Sequence, residues 1–123
     1  MNINLEASSG NNEIVSYDDN QVVIRTISKQ QLSLKGSFIL SSSKLLQDKS
    51  ISFELSEDIG FLINLKPEVL IISSNEADKF PYKVRSLFES HAIGVEVMKM
   101  GPACRTYNLL ISEQRDVYLV IQS

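Results

Sequence analysis

Cys104 stands two places after a Gly101-Pro102 pair, with Arg105 beside it and Lys99 just upstream. A thiol in the first turn of a helix has its pKa lowered by the helix dipole, so nucleophilic chemistry at Cys104 is one reading. The base it would need is His91, the single histidine, which falls at the far end of the preceding predicted helix. Cysteine is also among the most commonly buried residue types, and a core Cys104 is the competing reading.

The Gly-Pro pair itself can hold a ligand. The first N–H groups of a helix have no internal partner. Pro102 at the first helical position loses nothing, and Gly101 lets the chain leave the preceding strand sharply. The N–H groups of Ala103 and Cys104 are then expected to point beyond the strand end, between Lys99 and Arg105. If strands 68–73 and 95–98 run parallel, the Ser73-Ser74-Asn75 loop opens onto the same rim, where open α/β sheets bind ligands. Ser74, Asn75, Lys99, Gly101, Arg105 and Asn108 are the candidate ligand or partner surface, suited to a small anion. The plainer reading is a helix whose N-terminus is hydrated, because one Gly-Pro start is a weak motif beside a true phosphate loop.

Glu96 lies in an alternating run, with Val95 and Val97 on one face and Glu96 and Met98 on the other. A carboxylate on a helix-covered face needs a partner, for which Arg105 and Arg115 are the candidates. A general acid with a raised pKa is the sharper alternative, and no second carboxylate is placed to assist it. Glu113 and Arg115 read as a surface or capping pair. No catalytic residue is assigned, and no cofactor or metal site is expected.

The elements that must position these groups follow from periodicity. Residues 6–13 are polar and predict a loop. Ile14–Tyr17 and Gln21–Arg25 predict a hairpin turning at Asp18-Asp19-Asn20. A further hairpin is expected over 26–34, turning near Lys29-Gln30. Gly36–Leu40 predicts a central strand. Ser41-Ser42-Ser43 offers an N-cap for a brief helical turn through Lys44–Leu46, and Ile51–Leu55 alternates as an edge strand or extended segment would. Ser56 predicts an N-cap, with Glu57 and Asp58 in the first turn of a helix ending before Pro67. Glu68–Ser73 is a continuous apolar run, expected of a strand covered on both faces. A helix follows over Pro81–His91, with Val84, Leu87, Phe88 and His91 on one stripe and Gly94 near a left-handed cap. Strand 95–98, helix 102–114 and strand 117–121 complete the order. Ala103, Tyr107, Leu110 and Ile111 form the apolar stripe of that helix. The alternation implies an α/β fold with a mixed sheet, in one domain over residues 1–123.

Composition narrows the function. Twelve Lys and Arg against fifteen Asp and Glu leave a net charge of −3, unlike a nucleic-acid binder. No apolar run reaches the ~20 residues a spanning helix needs. The N-terminus lacks the basic and apolar parts of a signal peptide, so a prokaryotic cytoplasm is the expected location. One cysteine and one histidine exclude an internal disulfide and disfavour a protein-only zinc site.

The string Gly94-Val95-Glu96-Val97-Met98, followed by Ala103-Cys104-Arg105-Thr106-Tyr107-Asn108 and by Glu113 and Arg115, resembles the MTH938-like proteins. Leu5-Glu6, Gly10, Ile14, Tyr17, Ser37–Leu40 and Pro67–Ile72 agree with it, so the resemblance spans nearly the whole chain. It implies a three-layer α/β fold with a central mixed sheet, and no established catalytic residues. Its motif positions here are Glu96, Met98, Ala103, Cys104, Arg105, Thr106, Tyr107, Asn108, Glu113 and Arg115. Eukaryotic relatives include an assembly factor for respiratory complex I, which implies a non-enzymatic accessory role with a protein partner. Three departures stand out: Ser73-Ser74-Asn75 replaces a Gly-Thr-Gly-like turn, Met100 replaces a threonine, and the usual tryptophan is missing. The first two alter the proposed rim. Strand edges of the hairpin region also suit a homodimer.

Overall fold

The computed structural model describes residues 3, 4 and 10–122. Residues 5–9, which hold Leu5-Glu6 and part of the predicted 6–13 loop, lie outside the described residues. Among the described residues, nine strands form two sheets and three α-helices pack on them. The first sheet is antiparallel and is built from β1 (Ile3–Asn4), β2 (Glu13–Tyr17), β3 (Val22–Arg25) and β4 (Gln31–Leu34) in chain order. The β2–β3 turn forms as expected. The Asp18 carboxylate accepts from the N–H groups of Asn20 and Gln21, at 2.8 and 3.0 Å. A bulge at Val15 shifts the register between Ile14↔Ile24 and Ser16↔Val23.

The second sheet is mixed. It contains β5 (Phe38–Ser41), β6 (Leu45–Gln47), β7 (Val69–Ser73), β8 (Gly94–Met98) and β9 (Val117–Ile121), ordered β6-β5-β9-β7-β8. β7 runs parallel to both neighbours, and β5 is antiparallel to β9. Helices α1 (Ser56–Asn64) and α2 (Tyr82–Ser90) cover one face, through Ile59, Leu62 and Phe88 against Ile39, Leu70, Ile72 and Val120. Helix α3 (Met100–Ser112) covers the other face together with the first sheet. There Ala103, Cys104, Tyr107 and Ile111 meet Ile14, Ile24, Ile71 and Leu119. Every residue of β7 and of β9 is buried, as their unbroken apolar runs demand.

Several local expectations give way to packing. Lys44–Leu46 is not a helical turn. Ser41 N–H donates to the Lys44 carbonyl at 2.9 Å, and β6 returns against β5. Leu45 and Leu46 thereby place their side chains on opposite faces of the sheet, each against a different core. Residues 51–55 form no strand. The Gln122 carboxamide brackets Ile51, accepting from its N–H at 2.7 Å and donating to its carbonyl at 2.8 Å. The chain then turns so that Phe53 meets Phe80 and Phe88 edge-on.

Helix starts shift as well. Leu55, Pro81 and Lys99 are the N-caps rather than the predicted Ser56 and first-turn prolines. On α2, Phe88 is buried and Val84 packs against the core, whereas Leu87 and His91 are exposed. Three helices end in the left-handed region without glycine, at Lys66, Ala92 and Gln114. Gly94 instead opens β8.

The candidate rim at the ends of strands β7 and β8

β7 and β8 are adjacent and parallel, and the helices that follow them leave to opposite faces of the sheet. That is the topological switch at which open α/β sheets form a crevice. The two tips meet: Ser74 N–H donates to the Met98 carbonyl at 2.8 Å. A small hollow of about 80 Å³ lies there, lined by Ser73, Ser74, Asn75, Met100 and Gln122. A neighbouring one of about 260 Å³ shares Asn75, Met100 and Gln122 and extends to Asp19, Asn20 and Gln21 of the β2–β3 turn. The smaller hollow is lined by hydroxyls, amides and Met100, and the larger adds the Asp19 carboxylate and the apolar Val22, Leu34, Phe38 and Ile121.

Of the six residues expected at this rim, Ser74 and Asn75 line the hollow. Lys99 is exposed beside it as the N-cap of α3. Gly101 is backed by the Tyr17 side chain, since a Cβ built there would lie 3.1 Å from the Tyr17 hydroxyl and 3.3 Å from an Arg105 nitrogen. Arg105 donates to the Tyr17 hydroxyl at 2.5 Å. Asn108 faces β2 rather than the rim. Its Oδ1 accepts from Ile14 N–H at 2.9 Å and its Nδ2 donates to the Ile14 carbonyl at 2.8 Å. The expectation of free N–H groups at Ala103 and Cys104 is corrected, because α3 begins at Met100 and Ala103 N–H already donates to the Lys99 carbonyl at 2.9 Å. The groups ahead of the first helical bond are those of Met100 and Gly101.

The other motif side chains are structural ties. Thr106 donates to the Met98 sulfur at 3.5 Å. Tyr107 is fully buried and donates to the Asn12 carbonyl at 2.7 Å. Burial, with the Glu13 carboxylate as a lesser cause, raises its phenol pKa. Cys104 is fully buried, and that burial pushes its thiol up to about 12, against a smaller opposing pull from Arg105. Burial keeps the thiol protonated, and the nucleophile reading loses its thiolate.

Glu96 is exposed on the edge strand β8 and needs no buried partner. Arg115 pairs with Glu68 at 2.8 Å, not with Glu96. Its hydrogen bond lowers the Glu68 pKa, and the same contact raises that of Arg115. Glu113 adds only a lesser electrostatic attraction to Arg115.

Asn12 is a tie that sequence reading missed, because it sits in a polar stretch that reads as loop. It is buried, and its own N–H donates to the Ser42 carbonyl at 2.8 Å. Its side chain donates to the Ser41 carbonyl at 3.2 Å and accepts from Ile27 N–H at 3.0 Å. A larger hollow of about 540 Å³ lies at the opposite end of the sheet, among Lys66, Pro67, His91, Ala92 and Asp116. It sits among the helix-to-strand turns and touches none of the rim residues. Among the described residues, no group of three or more His, Cys, Asp or Glu side chains could hold a metal ion.

A family of proteins of unknown function, DUF498/DUF598, matches residues 14–122, which is nearly every described position. The chain belongs to that family. Family membership agrees with a 13 kDa major membrane protein of Francisella tularensis, 30% identical over 88 residues that cover 68% of this chain and 72% of that one. The fold is that of a Mth938-like domain from Bordetella pertussis, with a TM-score of 0.68 at 14% identity, covering 99% of this chain and 92% of that one. An outer membrane protein from Bartonella henselae has a TM-score of 0.71 at 24% identity, covering 95% and 98%. Among the described residues of this family member, no helix is long and apolar enough to cross a membrane.

Proposed function

We propose that this chain is a non-enzymatic interaction protein, an accessory to the assembly of a larger protein complex. One observation carries the reading: the polar motif side chains bind the protein to itself. Arg105 holds Tyr17, Thr106 holds Met98, Tyr107 holds Asn12 and Asn108 holds Ile14. A reacting centre needs groups aimed at substrate, and these are aimed at backbone and core. The outer side of α3, with Arg105 and the half-exposed Leu109, and the exposed Lys99 before it form the surface offered to a partner. The analogy with a complex I assembly factor rests on family likeness. The same reading keeps the chain in the cytoplasm, and recovery in the membrane fraction after cell fractionation would count against that.

Affinity capture tests the surface. Wild type and Tyr17→Phe, which leaves the Arg105 charge in place, should retain the same partner, and Arg105→Glu should lose it. Equal capture by all three, or by none, overturns the assignment.

A second reading is favoured by the switch-point geometry. The crevice at Ser74, Asn75, Lys99 and Gly101 would hold a small anionic metabolite against the N–H groups of Met100 and Gly101. A ligand that binds only the folded state stabilises it by about 2.7 kcal/mol at a hundredfold excess over Kd. A panel of anionic metabolites that leaves the melting temperature unmoved sinks this reading and leaves the first intact.

A further inference from the structure

Ser73, the last residue of β7, carries a hydroxyl that the fold does not use. The residue is only 9% exposed and lines the hollow of about 80 Å³. Among the described residues its hydroxyl has no hydrogen-bond partner. The strand sets its direction. Ile71 packs into the core beneath α3, and Ile72 into the core on the other face, so Ser73 points to the α3 side. A buried polar group without a partner in the protein calls for one from elsewhere, and the hollow is the open side.

The rest of the lining says what kind of partner fits. The Gln122 carboxamide is already committed to Ile51. Ser74 Oγ accepts from Glu76 N–H at 3.0 Å, which leaves its own proton to donate. Met100 opens α3 and lines both hollows. The helix N-terminus therefore abuts them, with the N–H groups of Met100 and Gly101 free of helical bonds and roughly half an elementary positive charge. Donors predominate at this wall, which favours an anionic oxygen.

The charge count limits the anion. Among the described residues, no lysine or arginine lines either hollow. Neutral donors and half a positive charge match one negative charge, not two. The exposed Asp19 carboxylate on the wall of the larger hollow repels a second. Between the two ends lie the half-buried Met100 and the buried edges of Val22, Leu34, Phe38 and Ile121, which suit an uncharged body.

We infer that this rim takes a small monocarboxylate. Its head accepts from the Ser73 and Ser74 hydroxyls at the start of α3, and its short uncharged body lies along Met100. The inference rests on the second reading above and narrows its small anion to one class.

Amide-resolved NMR titration with isovalerate, isovaleramide, glutarate and inorganic phosphate tests it. Isovalerate should shift the amides of Ser73, Ser74, Met100 and Gly101 and reach saturation. Isovaleramide has the shape without the charge, and glutarate and phosphate carry more than one charge near neutral pH. Each should bind about tenfold more weakly or worse. Asp19→Asn should narrow the glutarate deficit. Ser73→Ala should weaken isovalerate by about fivefold to tenfold, the worth of one hydrogen bond to a charged oxygen. Urea unfolding of that variant should match wild type, because the hydroxyl has no bond in the protein to lose. Phosphate or glutarate binding as tightly as isovalerate overturns the monocarboxylate assignment and leaves the small-anion reading standing. No shift with any of the three anions ends both. The assignment also falls if isovaleramide equals the acid, if the shifts lie away from the rim, or if Ser73→Ala leaves the isovalerate affinity and Asp19→Asn the glutarate deficit unchanged.

Discussion

The carboxamide of Asn108 stands in for a missing strand neighbour of Ile14, closing both its N–H and its carbonyl at 2.9 and 2.8 Å across 94 residues of sequence. Gln122 does the same for Ile51. Both amides meet backbone N–H and C=O groups that no strand among the described residues pairs, and a polar backbone group left unpaired in a packed region is costly.

Asn108→Ala removes both bonds at once. The expected loss is about 2–3 kcal/mol, from two bonds of roughly 1 kcal/mol each plus the desolvated groups left behind. Asn108→Asp should be no better, because it keeps the acceptor for Ile14 N–H and turns a carboxylate oxygen toward the Ile14 carbonyl. Urea unfolding of the two variants against wild type measures this, and wild-type stability in Asn108→Asp would contradict it.

Cys104 gives a pH dependence whose sign follows from its raised pKa. The folded thiol stays protonated up to about 12, against 9.0 for the ordinary group. Between those values the unfolded chain releases a proton that the folded chain keeps. Stability from this group is therefore full below pH 9 and is lost as pH climbs toward 12, at up to about 1.4 kcal/mol per pH unit. Cys104→Ala should show a shallower alkaline decline. Native protein at pH 8 should also resist a thiol-modifying reagent that labels it at once in urea.

Gly101 and Tyr17 should be energetically coupled. A methyl at position 101 meets the Tyr17 hydroxyl at 3.1 Å, which offsets the gain in helix propensity over glycine. Gly101→Ala alone should be near neutral. In a Tyr17→Phe background the same change should be more favourable than in wild type, by less than the ~1 kcal/mol propensity difference, because the Arg105 nitrogen at 3.3 Å and the ring carbon at 3.4 Å remain and position 101 precedes Pro102. A double-mutant cycle reads the difference, and purely additive effects would argue that the contact is relaxed at no cost.

Ala92 holds φ at +62° just past the end of α2 and is exposed. An L-residue in that region costs about 1–2 kcal/mol that glycine avoids. Ala92→Gly should raise stability by up to about 1 kcal/mol, after the larger chain entropy of glycine is subtracted. A lower melting temperature for the variant would show that the Ala92 side chain packs in a way its exposure conceals.

The residue order alone determined the second half of the fold. The unbroken apolar runs at 69–73 and 117–121 and the 3–4 spacing of Ala103, Tyr107, Leu110 and Ile111 report local periodicity, and burial follows directly from it. Parallel pairing of β7 with β8, and hence the meeting of Ser74 with Met98, was foreseeable from the same rhythm. Where the polar side chains point was decided only in three dimensions. Arg105 and Asn108 share the sequence signature of a ligand-facing surface, yet Tyr17 and Ile14 claim them from 88 and 94 residues away. Lys44–Leu46 has local cues for a helical turn and becomes a strand because Ile39 offers a backbone partner. Asn12 reads as loop and joins two turns to α3. Periodicity is a local property written along the chain. A hydrogen bond between distant segments exists only once packing has set their register, and no short stretch of sequence encodes it.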